Sequence, residues 1–236
     1  MLPIKTRFAH KSNYGGIRSL SSIKWIVIHY TSNDGDTDEA NGNYFANNIV
    51  KASAHYFVDD DSITQSVPDN YVAWSVGGKK YANTKGAKFY GQCTNSNSIS
   101  IEICDDVRNG VVYPSEKTIQ NVLELTRFLM QKYNVGHSHI IRHYDVTGKL
   151  CPAYWVDDAK WKSEFWNKVG EDDMTKEEVI KIIQEYEAQK AKNPVSAWAK
   201  SAWDKAKKKG VMDGTMPKSP VTREQISAIL DRLGLL

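Results

Sequence analysis

The chain has 236 residues, of which 41% are apolar and 25% are charged, and its formal net charge is +3. These values are ordinary for a globular protein, so they argue against a disordered chain and against a membrane-embedded one, and the balanced charge argues against a nucleic-acid-binding surface. A chain of this length accommodates one medium domain and a smaller second one.

Two features of the sequence bear on where the chain is made. The first ten residues, Met-Leu-Pro-Ile-Lys-Thr-Arg-Phe-Ala-His, contain neither the apolar core of a secretory signal nor a small-residue cleavage site, so we expect synthesis in the cytoplasm without a signal peptide. Three cysteines cannot all pair with one another. Cys93 and Cys104 are expected to be unreactive thiols in a reducing compartment, with a disulfide between them as the alternative.

The first predicted elements are a strand and a helix. The β-branched run Ile26-Val27-Ile28 predicts a buried strand from Lys24 to Tyr30. After a polar turn, apolar residues at helical spacing predict a helix from about Thr37 to Lys51. Its inward face is expected to consist of Ala40, Tyr44, Phe45 or Ala46, and Ile49.

Residues 54–67 are expected to form a β-hairpin, with strands at 54–59 and 63–67. The turn contains Asp59-Asp60-Asp61, but the glycine and distal glutamate of a calcium loop are missing, so a solvated turn is the favoured interpretation. Residues 77–96 follow, rich in Gly, Lys and Asn with interspersed aromatic residues. This composition is typical of a long loop that shapes a binding groove.

Residues 98–103 alternate with period two. The pattern predicts a strand with Ile99, Ile101 and Ile103 on one face and Ser98, Ser100 and Glu102 on the other. A carboxylate in the middle of such a strand is costly unless it has a partner or a task, so Glu102 is a candidate catalytic residue. Ser115 is expected to cap a helix that runs to about Tyr133, with a core face of Ile119, Val122, Leu123, Thr126, Leu129 and Met130.

Residues 140–155 contain two soft metal ligands, His143 and Cys151, eight positions apart around an expected tight turn at Thr147-Gly148. The best third ligand is His29, at the tip of the predicted central strand. Two imidazoles and a thiolate leave a tetrahedral zinc ion with one open position, which is typical of a catalytic site. The sequence therefore predicts zinc as the cofactor. For the neighbouring loop histidines, His137 and His139, exposed side chains without a metal role are favoured.

Five separated segments form a wider pattern: Trp25-Ile-Val-Ile-His-Tyr-Thr-Ser32, Ser53-Ala-His-Tyr-Phe-Val-Asp59, Val72-Ala-Trp74, Asn97-Ser-Ile-Ser-Ile-Glu-Ile103 and Arg142-His-Tyr-Asp-Val-Thr-Gly-Lys-Leu-Cys-Pro152. In order and spacing they resemble the type-2 zinc-dependent N-acetylmuramoyl-L-alanine amidases, a family that includes phage endolysins, bacterial autolysins and peptidoglycan recognition proteins. The resemblance implies an α/β fold with a central mixed β-sheet flanked by helices. It also implies hydrolysis of the amide bond between N-acetylmuramic acid and the L-alanine of the stem peptide.

Amide cleavage at neutral pH needs an activated nucleophile and a group that stabilises the oxyanion. Glu102 is expected to be the general base that takes a proton from the attacking water and returns it to the leaving amine. Lys149 matches the family position at which a cation meets the oxyanion; the alternative is a solvent-exposed turn lysine. Asp145 is expected either to orient His143 or to cap backbone amides.

The resemblance also implies contacts with the substrate. His55 and Trp74 match segments that line or border the substrate groove, and Thr147, in the turn before Lys149, is a third candidate contact. A buried core residue is the alternative for both His55 and Trp74. The family usually follows this tryptophan with histidine, whereas the chain has Ser75, so one imidazole of the groove is absent.

After a catalytic domain at 1–170, residues 171–236 are expected to form a small, all-helical domain. The capping box Thr175-Lys-Glu-Glu178 predicts a first helix, with Val179, Ile182, Ile183 and Tyr186 at helical spacing. Inward-facing residues of the next two helices are expected to be Trp198, Ala202, Trp203 and Ala206, and then Ile226, Ile229, Leu230 and Leu233 after a Thr222 cap. The segment from Trp198 to Gln225 resembles a single S-layer homology repeat. This resemblance implies a module that binds the cell wall, including its secondary polymers, or that pairs two chains.

The leading hypothesis is a phage endolysin that reaches peptidoglycan through a holin-type pore. A host autolysin and a non-catalytic peptidoglycan-binding protein are alternatives on the same fold, and the second is disfavoured because Cys151 is present together with both histidines. A zinc protease is a third hypothesis, but the chain lacks the His-Glu-x-x-His helix that such enzymes commonly use. The expected partner is peptidoglycan, without nucleic acid and without a transmembrane segment.

Overall fold

The computed structural model describes residues 1–82, 84–108, 111–170 and 176–236. The chain divides into two compact units, Met1–Asp172 and Asp173–Leu236. Within the described residues, no helix combines the length and the apolar character that a membrane crossing requires.

The first unit is built on a seven-stranded mixed sheet with the order β1-β5-β4-β7-β3-β9, in which β8 pairs with β7, and a small ribbon of β2 and β6 stands apart. The strands are β1 (Ile4–Thr6), β2 (Tyr14–Ile17), β3 (Trp25–Asp34), β4 (Tyr56–Val58), β5 (Ile63–Gln65), β6 (Tyr71–Ala73), β7 (Ser98–Arg108), β8 (Val111–Tyr113) and β9 (Ile140–Arg142). The helices of this unit are α1 (Asp38–Asn47), α2 (Glu116–Tyr133), α3 (His143–Thr147), α4 (Asp158–Trp161) and α5 (Asn167–Gly170), with a π-helical segment (Lys162–Trp166) between the last two. The predicted α/β fold is confirmed.

One face of the sheet carries the main apolar core. Ile99, Ile101 and Ile103 of β7 are fully buried there, as the alternation predicts. Helix α2 packs on this face and begins after Ser115, whose Oγ accepts a hydrogen bond from the Thr118 amide over 2.9 Å. The opposite face of β7 presents Ser98, Ser100 and Glu102, so period-two alternation separates a packed face from a polar one.

Helix α1 differs from its prediction. It ends at Asn47, and its buried residues are Asp38 and Gly42, whereas Ala40, Tyr44 and Ile49 are exposed. The reason is that polar contacts anchor the helix: Asp38 accepts hydrogen bonds of 2.7 Å from the hydroxyls of Ser62 and Thr64. Gly42 permits this close approach, because a Cβ there would lie 2.7 Å from Cγ2 of Thr64. Ala40, Tyr44 and Ile49 therefore stay exposed. Phe45, by contrast, is half-buried as expected and stacks on Phe57 of β4 with the ring centroids 5.4 Å apart.

The expected tight turn after His143 is a short helix, α3, which ends at Thr147. Gly148 follows in a left-handed conformation with φ 82°, and a Cβ at this position would lie 2.4 Å from Oγ1 of Thr84. Glycine therefore ends this helix for both conformational and steric reasons.

The second unit contains α6 (Lys176–Ala191), α7 (Lys200–Lys208) and α8 (Arg223–Arg232). The predicted cap of α8 is present, since Thr222 and Gln225 exchange side-chain hydrogen bonds with each other's amides. Several expected core positions are wrong: Trp198 is 89% exposed, and Ala202, Ile226 and Leu233 are exposed as well. Three short helices present too little surface to enclose every apolar side chain. The predicted capping residue Thr175, the linker residues 171–173 and the side chains of Val179 and Ile182 lie outside the described part of the chain.

Candidate metal centre

Three side chains of the ligand type meet on the polar face of the sheet. They are His29, His143 and Cys151, all buried, and their candidate ligand atoms lie within 4.8 Å of one another. Sγ of Cys151 is 3.9 Å from Nδ1 of His29, and the two imidazole centroids are 4.6 Å apart. The sequence proposed these same three residues.

Strand register explains why the three meet. Strands β7, β3 and β9 run parallel, and the register pairs His29 with Glu102 and Ile28 with Arg142. His143, one residue beyond this last pair, therefore emerges beside His29. Cys151 returns to the same place because its carbonyl accepts a hydrogen bond of 2.9 Å from the Tyr144 amide. The site thus lies at the carboxyl ends of parallel strands, where α/β sheets commonly bind ligands.

The donor set suits a zinc ion. Burial lowers the pKa of His143 to about 4, with a further contribution from the Lys149 charge, and burial together with the neighbouring His143 holds the pKa of His29 well below its usual value. Both imidazoles are therefore neutral at pH 7, the form that binds metals. Among the described residues, Nε2 of His29 and Nδ1 of His143 are buried and have no hydrogen-bond partner. Imidazole nitrogen and the cysteine thiolate are both ligand types that zinc binds in proteins.

A cleft of about 590 Å³ opens beside these ligands and is lined by Glu102, Lys149 and the exposed side of α1, including Tyr44 and Phe45. We call it the catalytic cleft. Oε1 of Glu102 is 3.8 Å from Nδ1 of His29, and Lys149 is exposed. A carboxylate that approaches His29 and an ammonium group therefore line the same cleft.

Two expected substrate contacts are corrected by burial. His55 is only 1% exposed; its Nδ1 accepts a hydrogen bond of 3.1 Å from the Ser100 amide, and Arg18 Nη2 lies 2.8 Å from its Nε2. Thr147 is also buried, and its Oγ1 accepts from the Lys149 amide over 3.3 Å. Neither side chain presents a surface to a substrate, because each completes internal hydrogen bonds of the fold.

Trp74, the third expected contact, is half-buried and lines a second cavity, of about 430 Å³, together with Val146 of α3. We call it the Trp74 cavity. Ser75, which stands where the family usually has histidine, hydrogen bonds through its hydroxyl to the hydroxyl of Ser100 on β7. This bond holds the segment on the polar face of the sheet.

Arg142 was missed as a site residue. It is 2% exposed and forms a two-pronged ion pair with Asp145, with both N–O distances at 2.8 Å. It also donates to the Trp155 carbonyl over 2.7 Å and to Asp158 over 2.6 Å. Asp145 therefore pairs with Arg142 and caps its amide, and it forms no bond with His143 in the described structure. The sequence feature that could have indicated Arg142 is its position, since it is a charged residue directly between the apolar pair Ile140-Ile141 and the candidate ligand His143.

The remaining candidates have structural roles. His137 stacks on Trp166 and His139 lies against Trp25, with ring centroids 3.8 and 4.2 Å apart. No disulfide joins Cys93 to Cys104 in the part of the chain that is described, and both are buried. The carboxylate of Asp59 accepts hydrogen bonds from backbone amides of its own turn, as expected for a turn.

Comparison with known proteins agrees with this geometry. The model of the N-acetylmuramoyl-L-alanine amidase family, Amidase_2, matches residues 19–154, more than half of the chain. The amidase CwlL of Bacillus licheniformis is 37% identical over 155 residues, and BlyA of Bacillus subtilis is 32% identical over 156 residues. Each alignment covers 64% of this chain, but the chain spans only 41% and 42% of the length of these two relatives.

Solved structures give the same result for the fold. A mutant endolysin from Bacillus subtilis superposes with a TM-score of 0.57 at 27% identity, covering 72% of this chain and 99% of that one. The catalytic domain of XlyA superposes with a TM-score of 0.56 at 26% identity, covering 71% and 99%. These matched chains are covered almost completely, so the shared fold is that of a whole domain.

Proposed function

The chain belongs to the N-acetylmuramoyl-L-alanine amidase family, and on that premise we propose that it hydrolyses the amide bond between the lactyl group of N-acetylmuramic acid and L-alanine in bacterial peptidoglycan. The observation that carries this proposal is the meeting of His29, His143 and Cys151 beside a cleft that also contains Glu102 and Lys149. Metal-assisted hydrolysis requires these elements: a ligand set, a proton-transfer group and a cation for developing charge.

We propose that His29, His143 and Cys151 hold one zinc ion. When bound in such a site, zinc activates water and polarises the carbonyl group that is attacked. The neutral imidazoles provide lone pairs without releasing protons. Arg142 and Asp145 act as positioning residues, because their buried ion pair fixes the start of α3, from which His143 projects.

Glu102 is proposed to move the proton. Its carboxylate accepts a proton from the attacking water and then delivers it to the nitrogen of the leaving L-alanine. Lys149 is proposed to stabilise the oxyanion with its ammonium group, since it lines the same cleft and its charge acts on both histidines. The backbone of its turn is held by Thr147, which is buried beneath it.

The alternative of a peptidoglycan-binding protein without catalysis is not favoured, because the complete ligand set, Glu102 and Lys149 would then have no task. Solved endolysins share the fold, and the proposed role is therefore wall lysis, with release through a holin-type pore. Digestion of purified walls tests the reaction: we expect new amino groups without new reducing sugars. New reducing sugars would indicate a glycosidase and would contradict the proposal.

For residues 171–236 we propose a helical module that holds the enzyme on wall polymers or pairs two chains, following a catalytic domain at 1–170. This unit lies beyond the family match, and its exposed apolar side chains include Ile183, Tyr186 and Trp198. Residues 1–170 alone should then cleave soluble muropeptides but lose activity on intact cells. Unchanged wall retention and unchanged sedimentation after truncation would contradict this role.

A further inference from the structure

The Trp74 cavity lies on the same sheet face as the metal centre. Its lining residues Val76, Cys93 and Val146 belong to a small apolar cluster with Trp25 and Val27 of β3, which occupy the face of His29. Its other wall comes from Asn95 and Ser96, just before β7 begins at Ser98. Ser98 and Glu102 are four residues apart, so about 13 Å of strand separates this end of the face from the catalytic cleft.

The two cavities differ in charge. The catalytic cleft contains Asp36, Glu102 and Lys149, whereas the lining of the Trp74 cavity contains no Asp, Glu, Lys, Arg or His among the described residues. Burial raises the pKa of the Cys93 thiol to about 12, so this group is also neutral at pH 7. A neutral cavity with polar atoms fits an uncharged, hydrogen-bonding ligand better than a peptide that carries carboxylates.

The cavity contains an oriented amide donor. Oδ1 of Asn95 accepts hydrogen bonds from the amides of Ser75 (3.1 Å) and Val76 (2.8 Å), which fixes the orientation of the side-chain amide. Nδ2 then faces Gly77, where a Cβ would lie only 3.0 Å away. Among the described residues no acceptor bonds to Nδ2, and glycine leaves the space in front of it open.

Aromatic surface stands beside this donor. Two hydrogen bonds with Ser53 fix the backbone of Trp74. The Trp74 amide donates to Oγ of Ser53 over 3.0 Å, and the Trp74 carbonyl accepts from the Ser53 amide over 3.2 Å. Its indole rests on Gly15, where a Cβ would lie 3.1 Å from Nε1. Tyr90 is 44% exposed and its hydroxyl donates to the Gly78 carbonyl. An aromatic plane next to an amide donor matches a pyranose ring, which has an apolar C–H face, and its acetamido carbonyl, which accepts hydrogen bonds.

We propose that the Trp74 cavity binds an N-acetylated sugar of the glycan strand, next to the muramic acid whose stem peptide occupies the catalytic cleft. The acetamido carbonyl accepts a hydrogen bond from Nδ2 of Asn95, and the ring lies against Trp74. This inference rests on the proposed function, because it assigns the glycan and the stem peptide of one substrate to two cavities on one sheet face. The enzyme would then prefer wall chains over isolated muropeptides.

The test uses the full chain and a peptide-free probe, the β-1,4-linked trimer of N-acetylglucosamine, with affinity measured by NMR titration. Gly77→Ala places a methyl group in front of Asn95 Nδ2 and should weaken binding about tenfold or more. Asn95→Asp retains the acceptor for both amides but removes the donor, and it should weaken binding similarly. The matched control is Gly136→Ala, where φ is −69° and no atom lies within 4 Å of the added Cβ. Thermal unfolding verifies that each variant is folded.

Saturable binding of the trimer by the wild type, weakened in both cavity variants and unchanged in the control, supports the proposal. Absence of saturable binding in the millimolar range, or equal binding by all four proteins, overturns it. Binding of a sugar-free stem peptide that is lost in Gly77→Ala also overturns it, in favour of a peptide site. The titration needs neither metal nor turnover, so it is independent of the wall digestion that decides the amidase function.

Discussion

The two faces of the central sheet are made by the same strands but follow different rules. On the face toward α2, residues such as Ile28 and Ile101 are fully buried among apolar neighbours. On the other face, His29 and Glu102 stand next to them in sequence and pair in register. Packing therefore determines the first face, whereas the second retains buried polar groups that packing alone would disfavour. A substitution on the first face should change stability, and one on the second should change chemistry.

The largest effect that would sharpen this comparison is expected at Ile101. Ile101→Ala removes a fully buried side chain from the core face and should lower the free energy of unfolding by about 2–5 kcal/mol. Ile101→Val is the graded control and should lower it by about 1 kcal/mol. Denaturant unfolding measures both. A loss below that of the valine variant would mean that this face is not the principal core.

Glu102→Gln changes the adjacent residue on the opposite face. Because the amide cannot accept the proton, turnover should fall about 10²-fold or more, with little change in unfolding free energy or zinc content. Glu116→Gln, an exposed change in the first turn of α2, is the control and should retain full turnover. Near-normal turnover in the Glu102 variant would assign the base role to another residue.

Lys149→Ala should reduce kcat by about tenfold to 10²-fold and leave KM nearly unchanged, because the ammonium group meets charge that exists only in the transition state. Steady-state kinetics on a soluble muropeptide separates the two constants. A loss confined to KM would make Lys149 a substrate-binding residue instead.

A dependence of stability on pH is expected from His55, whose pKa burial lowers to about 3, with the Arg18 charge adding to the shift. In the unfolded chain a histidine has a pKa of about 6.5, so between these values only the unfolded state binds the proton. Stability should therefore rise with pH from 3 to 6.5 by up to about 1.4 kcal/mol per unit and level off above 6.5. His55→Gln should remove the contribution of this one histidine to the slope of unfolding free energy against pH. An identical slope in the variant would show that His55 does not contribute.

The two faces of the central sheet were not equally predictable from the sequence. The alternation of β7 was predicted correctly because a two-residue period follows directly from strand geometry. The expected inward face of α1 was right at Phe45 but wrong at Ala40, Tyr44 and Ile49. Asp38 and Gly42 anchor that helix through hydrogen bonds from hydroxyl groups and through close backbone approach, and hydrophobic periodicity predicts neither. The ligand cluster was predicted from residue chemistry and family resemblance.

Other site features depended on contacts between distant segments. The hydrogen bonds of buried His55 involve Arg18, 37 residues away in sequence, and Arg142 reaches the Trp155 carbonyl, 13 residues away. Trp198 was expected inside because of its spacing, but the second unit is too small to cover it. Local patterns therefore predicted the elements, and tertiary contacts decided which side chains reach the cleft.

The central claim is that the polar face of the sheet holds one zinc ion through His29, His143 and Cys151. The most direct measurement is the zinc content of the purified chain and of Cys151→Ser, with Cys93→Ser, a second buried cysteine on the same face, as the matched control. We expect about one zinc per chain in the wild type and in the Cys93 variant, and a clear loss of zinc and of wall digestion in the Cys151 variant. Stoichiometric zinc with full activity in Cys151→Ser would contradict the account.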